Sequence, residues 1–246
     1  MKVTILFGLL LCLGLWNCSK SEDSTGTLEI VLKGTYADQP LVFYKDYTYF
    51  DGSTINFTKS EFFLNEIKLI TADGRIIPVA DVEFVAIHEK QTDEIKAAEG
   101  VKLIFQNIGV GDYKAIKYNV GLSDSYNSKN PSDYTSSHIL ADATHYWSGW
   151  NSYIFSKTEG RIHNQQNDEL FAFHSGFDEA MRTIDMNKTF SIAQDETTSI
   201  QITLDHKVIF EKDGQGMDIY SNPIIHEGKD FMRSFMDQYK KAFKIF

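Results

Sequence analysis

Cysteine is almost missing from this chain: of 246 residues only Cys12 and Cys18 are cysteines, and both fall in the first eighteen positions. Proline is scarce, at four. Basic charge is in deficit, since 24 Lys plus Arg stand against 34 Asp plus Glu and leave a net charge of −10. That balance argues against nucleic acid and anionic membrane surfaces as partners. The usual enzyme motifs are missing as well. There is no Gly-x-Ser-x-Gly elbow, no His-Glu-x-x-His pair, no phosphate-cradling glycine loop and no dinucleotide fingerprint. Carboxylates are plentiful, but no pair has a spacing that singles it out, so a hydrolase is the weakest of the functional readings and no enzyme is expected. Long apolar runs are limited to residues 3–16, at the very start and too short to span a bilayer.

That run, with Met1-Lys2 before it, has the layout of an export signal over residues 1–17. The box Leu15-Trp16-Asn17-Cys18 resembles the relaxed boxes of Bacteroidetes lipoproteins, with Cys18 as the lipidated first residue. The Lys-Ser-Glu-Asp run behind it resembles the acidic tether that carries some of these proteins to the cell surface. The expectation is an outer-membrane lipoprotein of the cell envelope, held to the membrane by its lipid. Residues 18–26 would be a flexible tether and residues 27–246 one domain. Cys12 would leave with the signal and Cys18 would carry lipid. The mature chain would then have no disulfide, no thiolate metal site and no cysteine nucleophile.

Aromatics are abundant, with 18 Phe and 12 Tyr, and the dominant pattern is short alternating runs. Leu28, Ile30 and Leu32 alternate with Glu29, Val31 and Lys33. Residues 67–70, the turn Ala72-Asp73-Gly74 and residues 76–79 read as a hairpin. Residues 82–87, 101–108, 113–120, 170–174, 190–192 and 199–210 are further strand candidates, the last with Ile200, Ile202, Leu204, His206 and Val208 on one face. Residues 123–144 break the rhythm as a long polar loop, of a kind more often functional than idle. Thr158-Glu159-Gly160 reads as a turn and residues 161–169 as another polar loop. Phe231, Met232, Phe235, Met236, Tyr239 and Phe243 recur at helical spacing, so residues 228–243 are expected to form an amphipathic helix. Many short strands and one terminal helix make an all-β fold, an antiparallel β-sandwich with long loops and a short C-terminal helix.

With no thiolate to hand, the seven histidines are the inventory for metal chemistry. His88 reads as a surface residue, His138 and His163 as solvated loop residues, and His206 as a hydrogen-bonded core histidine. His145, His174 and His226 are more suggestive. His145 leads into two of the three tryptophans, Trp147 and Trp150; His174 ends a strand; His226 precedes the helix. A competing use of the same aromatics is carbohydrate stacking, in a surface adhesion or glycan-binding module.

The segment from Tyr146 to Gly160, YWSGWNSYIFSKTEG, resembles the signature of the MbnP-like copper-binding proteins, envelope proteins encoded beside methanobactin-type di-haem partners. Phe171-Ala172-Phe173-His174-Ser175-Gly176 is similar to that family's Phe-x-Phe-His-x-Gly. Weaker similarities lie at residues 55–74 and from His226 to Ile245. In one place the chain departs from the pattern: Gly149 makes Trp-Ser-Gly-Trp of the family's Trp-Ser-Trp. The resemblance implies a β-sandwich that binds one copper ion for uptake or handling, without turnover. It implies histidine ligands at His145 and His174, with His226 a third candidate. It also implies a tryptophan oxidised to a kynurenine ligand, Trp150 first and Trp147 second, by a di-haem, cytochrome c peroxidase-like partner.

Overall fold

The computed structural model describes residues 24–246 apart from Asp38. The expected export signal, Cys18 and residues 19–23 of the tether lie outside the described residues. Nine long strands carry the fold: β1 (Thr25–Tyr36), β2 (Thr54–Thr71), β3 (Ile76–Ala86), β4 (Val101–Gly109), β5 (Gly111–Val120), β6 (Ser152–His163), β7 (Asp168–Gly176), β8 (Arg182–Ile192) and β9 (Thr197–Asp205). A helix, α1 (Lys229–Ala242), and a short last strand, β10 (Phe243–Ile245), complete it. The chain is an all-β sandwich with a C-terminal helix.

The smaller sheet runs β10–β9–β1, with β4 also paired to β1; the larger runs β8–β5–β2–β6–β7, with β3 also paired to β2. Rings meet between the layers: Phe62 of β2 and Tyr118 of β5 each lie 5.8 Å from Phe243. Most pairings are antiparallel. The exception that closes the smaller sheet is β1 with β9, parallel from Thr27↔Thr197 to Thr35↔Asp205. Alternation in β1 is strict, with Leu28, Ile30 and Leu32 all buried, as a strand with one face on a core requires. β1 begins at Thr25, inside the stretch expected as tether, because Thr25 and Gly26 already pair with Gly109 and Ile108.

Several sequence expectations change at their boundaries. The expected strands at 76–79 and 82–87 merge into one, β3, against the second half of β2, and Ile87 already begins the short helix Ile87–Lys90. Thr158-Glu159-Gly160 is not a turn. It lies in the middle of β6, which runs on to His163 and pairs with β7 from Asp168↔His163 onward. The polar letters that suggested a turn are the outward half of an alternation: Lys157, Glu159 and Arg161 face out, while Ser156, Thr158, Gly160 and Ile162 are buried. The strand expected at 199–210 stops at Asp205, whose side chain accepts a hydrogen bond from the Lys207 N–H and starts the short helix His206–Ile209. Residues 123–151 wrap over the outer face of the larger sheet in short helical turns, among them Asp124–Asn127, Ile139–Ala141 and Ala143–His145. Leu140 is buried under this wrap and the Tyr153 hydroxyl donates to its carbonyl at 2.6 Å. α1 turns Met232, Phe235, Met236 and Tyr239 inward; Phe235 meets Phe173 at 5.4 Å.

Candidate metal centre

The site forms on the outer face of the larger sheet, where three segments converge. β6 and β7 place His174 opposite Lys157 and Ala172 opposite Glu159. His174 and Glu159 are therefore diagonal neighbours on one face, within side-chain reach, and His174 Nε2 lies 2.9 Å from Glu159 Oε1. The hydrogen bond from His174, with Lys59 and Lys157 nearby, holds the Glu159 carboxyl below its ordinary range. With the Glu159 oxygen as acceptor, Nε2 is the donor, and in the neutral tautomer that makes this bond Nδ1 keeps a lone pair. His174 Nδ1 is buried and has no hydrogen-bond partner.

The second segment is the short strand Ile224–Ile225, which adds to β7 in parallel through Ala172↔Ile224 and Phe173↔Ile225. It delivers His226 to His174. The two imidazoles stack with centroids 4.6 Å apart and planes 19° apart. His226 Nε2 is also buried and unpartnered. Burial first, then the neighbouring His174, pushes the pKa of His226 down, so its ring is neutral at neutral pH.

The third segment is the hairpin tip that carries the tryptophans. Tyr146 pairs with Tyr153 and Trp147 with Ser152, and a four-residue loop between them ends at Asn151 in the left-handed region (φ 52°). Trp147 lies edge-on to His226 at 4.8 Å. Trp150 stacks on Trp147 at 4.6 Å and 18°, and Phe177 covers it at 5.2 Å. Gly149, the residue that departs from the expected motif, has a steric reason. A Cβ there would sit 2.9 Å from Trp147 Nε1, so only glycine lets the indole fold back over its own turn.

The expected ligands thus divide. The structure brings together His174, His226 and Trp147, with Trp150 one ring further out. It does not bring His145 to them. His145 Nδ1 is 3.8 Å from Glu61 Oε1 and its Nε2 is 3.7 Å from Asp142 Oδ2, and the ring packs on Phe84 at 4.3 Å. Glu61, Lys157 and His174 stand in one cross-strand row. At about 4.8 Å per strand, His145 is on the wrong side of Lys157 to share a ligand with His174. Burial and Lys157 lower its pKa. Among the other histidines, His206 is fully buried as expected, its Nε2 2.8 Å from Ser60 Oγ, and His138 stacks on Tyr134. His163 ends β6 rather than lying in a loop, with its Nδ1 buried and unpartnered. His88 is half-buried against Phe43. Glu159 was missed in the sequence because it was read into a turn; the alternation Lys157-Glu159-Arg161, two positions apart beside a histidine strand, is the signal that finds it.

The donor set fits a metal of low coordination number. Two buried imidazole nitrogens have no protein partner, and the Trp147 ring lies against His226. Among the described residues no group of three or more His, Cys, Asp or Glu could hold a metal ion. Three to four protein ligands are usual for zinc, and six or more oxygens for calcium.

The MbnP family pattern matches residues 25–227, a span that ends one residue beyond His226. The chain belongs to the MbnP family. Among solved structures it is similar to MbnP from Methylosinus trichosporium, with a TM-score of 0.52 at 9% identity over 78% of this chain and 83% of that one. At that identity the likeness is one of fold. No curated protein matches. The MbnP match covers all three converging segments and stops just short of α1.

Proposed function

We propose that this protein binds a single copper ion between His174 Nδ1 and His226 Nε2 and serves copper uptake or handling in the cell envelope, without turnover. The observation that carries the reading is the pair of buried, unpartnered imidazole nitrogens on stacked rings. Burying a polar atom without a partner costs about 1–3 kcal/mol, and a rotation of the rings that turned both lone pairs onto one cation would remove that cost for both. Imidazole suits copper, and two donors under an aromatic wall favour the monovalent ion over zinc. The signal-like sequence of residues 1–17, ending at Cys18, is what supports an envelope setting with a lipid anchor. A di-haem oxidising partner belongs to the same proposal. Its target is Trp147, which touches His226, rather than Trp150, which touches only Trp147 and Phe177 among the site's rings. A kynurenine there supplies an amine donor that the indole N–H cannot. The glycan reading loses ground, because the two tryptophans cover each other instead of presenting a flat shelf.

The test is metal analysis of protein purified from its native membrane, with Cu(I) titration of variants and peptide mass spectrometry over residues 146–157. Wild type should carry one copper, and His174→Ala and His226→Ala none. A wild-type chain that takes up no copper in either form would sink the proposal.

A further inference from the structure

On the outer face of β2 and β6 is a second cluster that the metal pair does not use. Glu61, Lys157 and His145 are nearly sealed from solvent, with side-chain exposures of 9%, 12% and 11%. Lys157 Nζ is 2.9 Å from Glu61 Oε1 and donates at 3.3 Å to the Thr144 carbonyl. His145 caps the same carboxylate at 3.8 Å and lays its ring on Phe84 and Phe63 at 4.3 and 5.5 Å. Asp142 faces its other nitrogen and starts the turn Ala143–His145 by accepting from the Thr144 N–H at 2.9 Å. Glu61 and Lys157 are thus fixed to strands, whereas Thr144 and His145 belong to the wrap. Two residues further on, that wrap becomes the strand that places Trp147 on His226. A buried charge pair that also holds a backbone carbonyl is costly unless all its members are satisfied, so the arrangement is not a passive surface feature.

We infer that Glu61, Lys157 and His145 form a latch that clamps the 123–151 wrap to the sheet and thereby positions Trp147 over the His174–His226 pair. His145 is a positioning residue, not a ligand. This inference rests on the proposed metal site for its binding readout and on the Trp147–His226 ring contact for its spectroscopic one. Lys157 serves both clusters. On one side it holds Glu61 and Thr144; on the other it stands directly opposite His174 across the β6–β7 pair. The latch therefore joins the two halves of the outer face through a single side chain on β6.

The experiment compares His145→Ala, Lys157→Met and Lys157→Arg with wild type and with His174→Ala, all in the mature chain. Two readouts are taken: Cu(I) stoichiometry and affinity, and, in the metal-free protein, the NMR shift of the His226 ring protons, which the edge-on Trp147 ring perturbs. Trp147→Leu gives the shift with no indole present. His145→Ala and Lys157→Met should move the His226 resonances toward the Trp147→Leu position. Both should keep one copper per chain at about tenfold weaker affinity, the scale of lost supporting contacts around a metal ligand. Lys157→Arg, which keeps the charge and the carbonyl bond, should restore both. Loss of all copper in His145→Ala with the His226 shift unchanged would make His145 a ligand and overturn the inference. Unchanged shift and affinity in both variants would overturn it as well. If wild type binds no copper, the function proposal fails, while the His226 shifts still decide whether the latch exists.

Discussion

Glu159 sets what His174 can do. An ionised carboxylate that accepts from Nε2 dictates which nitrogen keeps its lone pair, and the one left over is the buried Nδ1. Removing such a partner typically weakens metal binding by about 10- to 100-fold. Glu159→Ala should fall in that range in a Cu(I) competition titration. Glu159→Gln, whose amide oxygen can still accept from Nε2, should lose less. Equal affinity in the alanine variant and wild type would mean that Nδ1 keeps its lone pair without help. At the same scale, sequence spacing could not separate His145 from His174. Both histidines precede strand ends or turns beside aromatics. What divides them is which side of Lys157 each occupies, and that depends on the register of three strands.

β6 is the element on which sequence and structure differ most usefully. Its outward positions are Lys157, Glu159 and Arg161, so its letters look like a turn, and Gly160 adds to that impression. Gly160 is there for another reason. A Cβ at this position would lie 2.0 Å from the Asn56 carbonyl oxygen and 2.6 Å from Phe171 Cζ, so glycine lets the Phe171 ring cross beneath the strand. Gly160→Ala should cost about 3 kcal/mol by overpacking. Gly52→Ala, at a positive-φ turn with nothing within 4 Å, should cost about 1 kcal/mol. Urea midpoints at unchanged m compare the two, and equal losses would mean that the space above Gly160 is not limiting. The same distinction explains how much of the fold was legible. Strands with one apolar face, such as β1, β5 and the first part of β9, could be read from alternation. So could the inward face of α1, from its helical spacing. The eighteen-residue β2 could not, because it changes partners along its length and buries both faces in the middle, from Ser60 to Asn65. The parallel pairing of β1 with β9 is set by two strands some 170 residues apart, and neither strand's pattern records direction. At the site, the tryptophans and His174 were legible by resemblance. His226 was a candidate too, but its contact with His174 was not legible, since it depends on a two-residue strand added to β7.

At the scale of the whole molecule, the two layers enclose a histidine that must stay neutral. His206 Nδ1 donates to the Leu204 carbonyl at 3.2 Å, Nε2 accepts from the Ser60 hydroxyl at 2.8 Å, and Phe57 packs against the ring at 5.2 Å. Both nitrogens are occupied by the neutral form, and burial pushes the pKa from 6.5 down to about 4. The unfolded chain takes up this proton near pH 6.5, while the folded chain resists it until about pH 4. Between those values the unfolded state binds more protons, so stability rises with pH. The contribution is intact above the unfolded pKa and is lost as pH falls toward the folded one, by about 3 kcal/mol in all. His145 and His226 are lowered too and push in the same direction. A comparison with His206→Gln isolates the core term, because every other titrating group is common to both proteins. In urea unfolding of metal-free protein between pH 7.5 and pH 4.5, wild type should lose about 2–3 kcal/mol more than the variant. The variant should start lower at pH 7.5, since it disturbs the Ser60 and Leu204 bonds, and converge on wild type in acid. Parallel pH slopes would show that His206 accepts its proton inside the fold, and the sandwich interior would then have to be wetter than its packing allows.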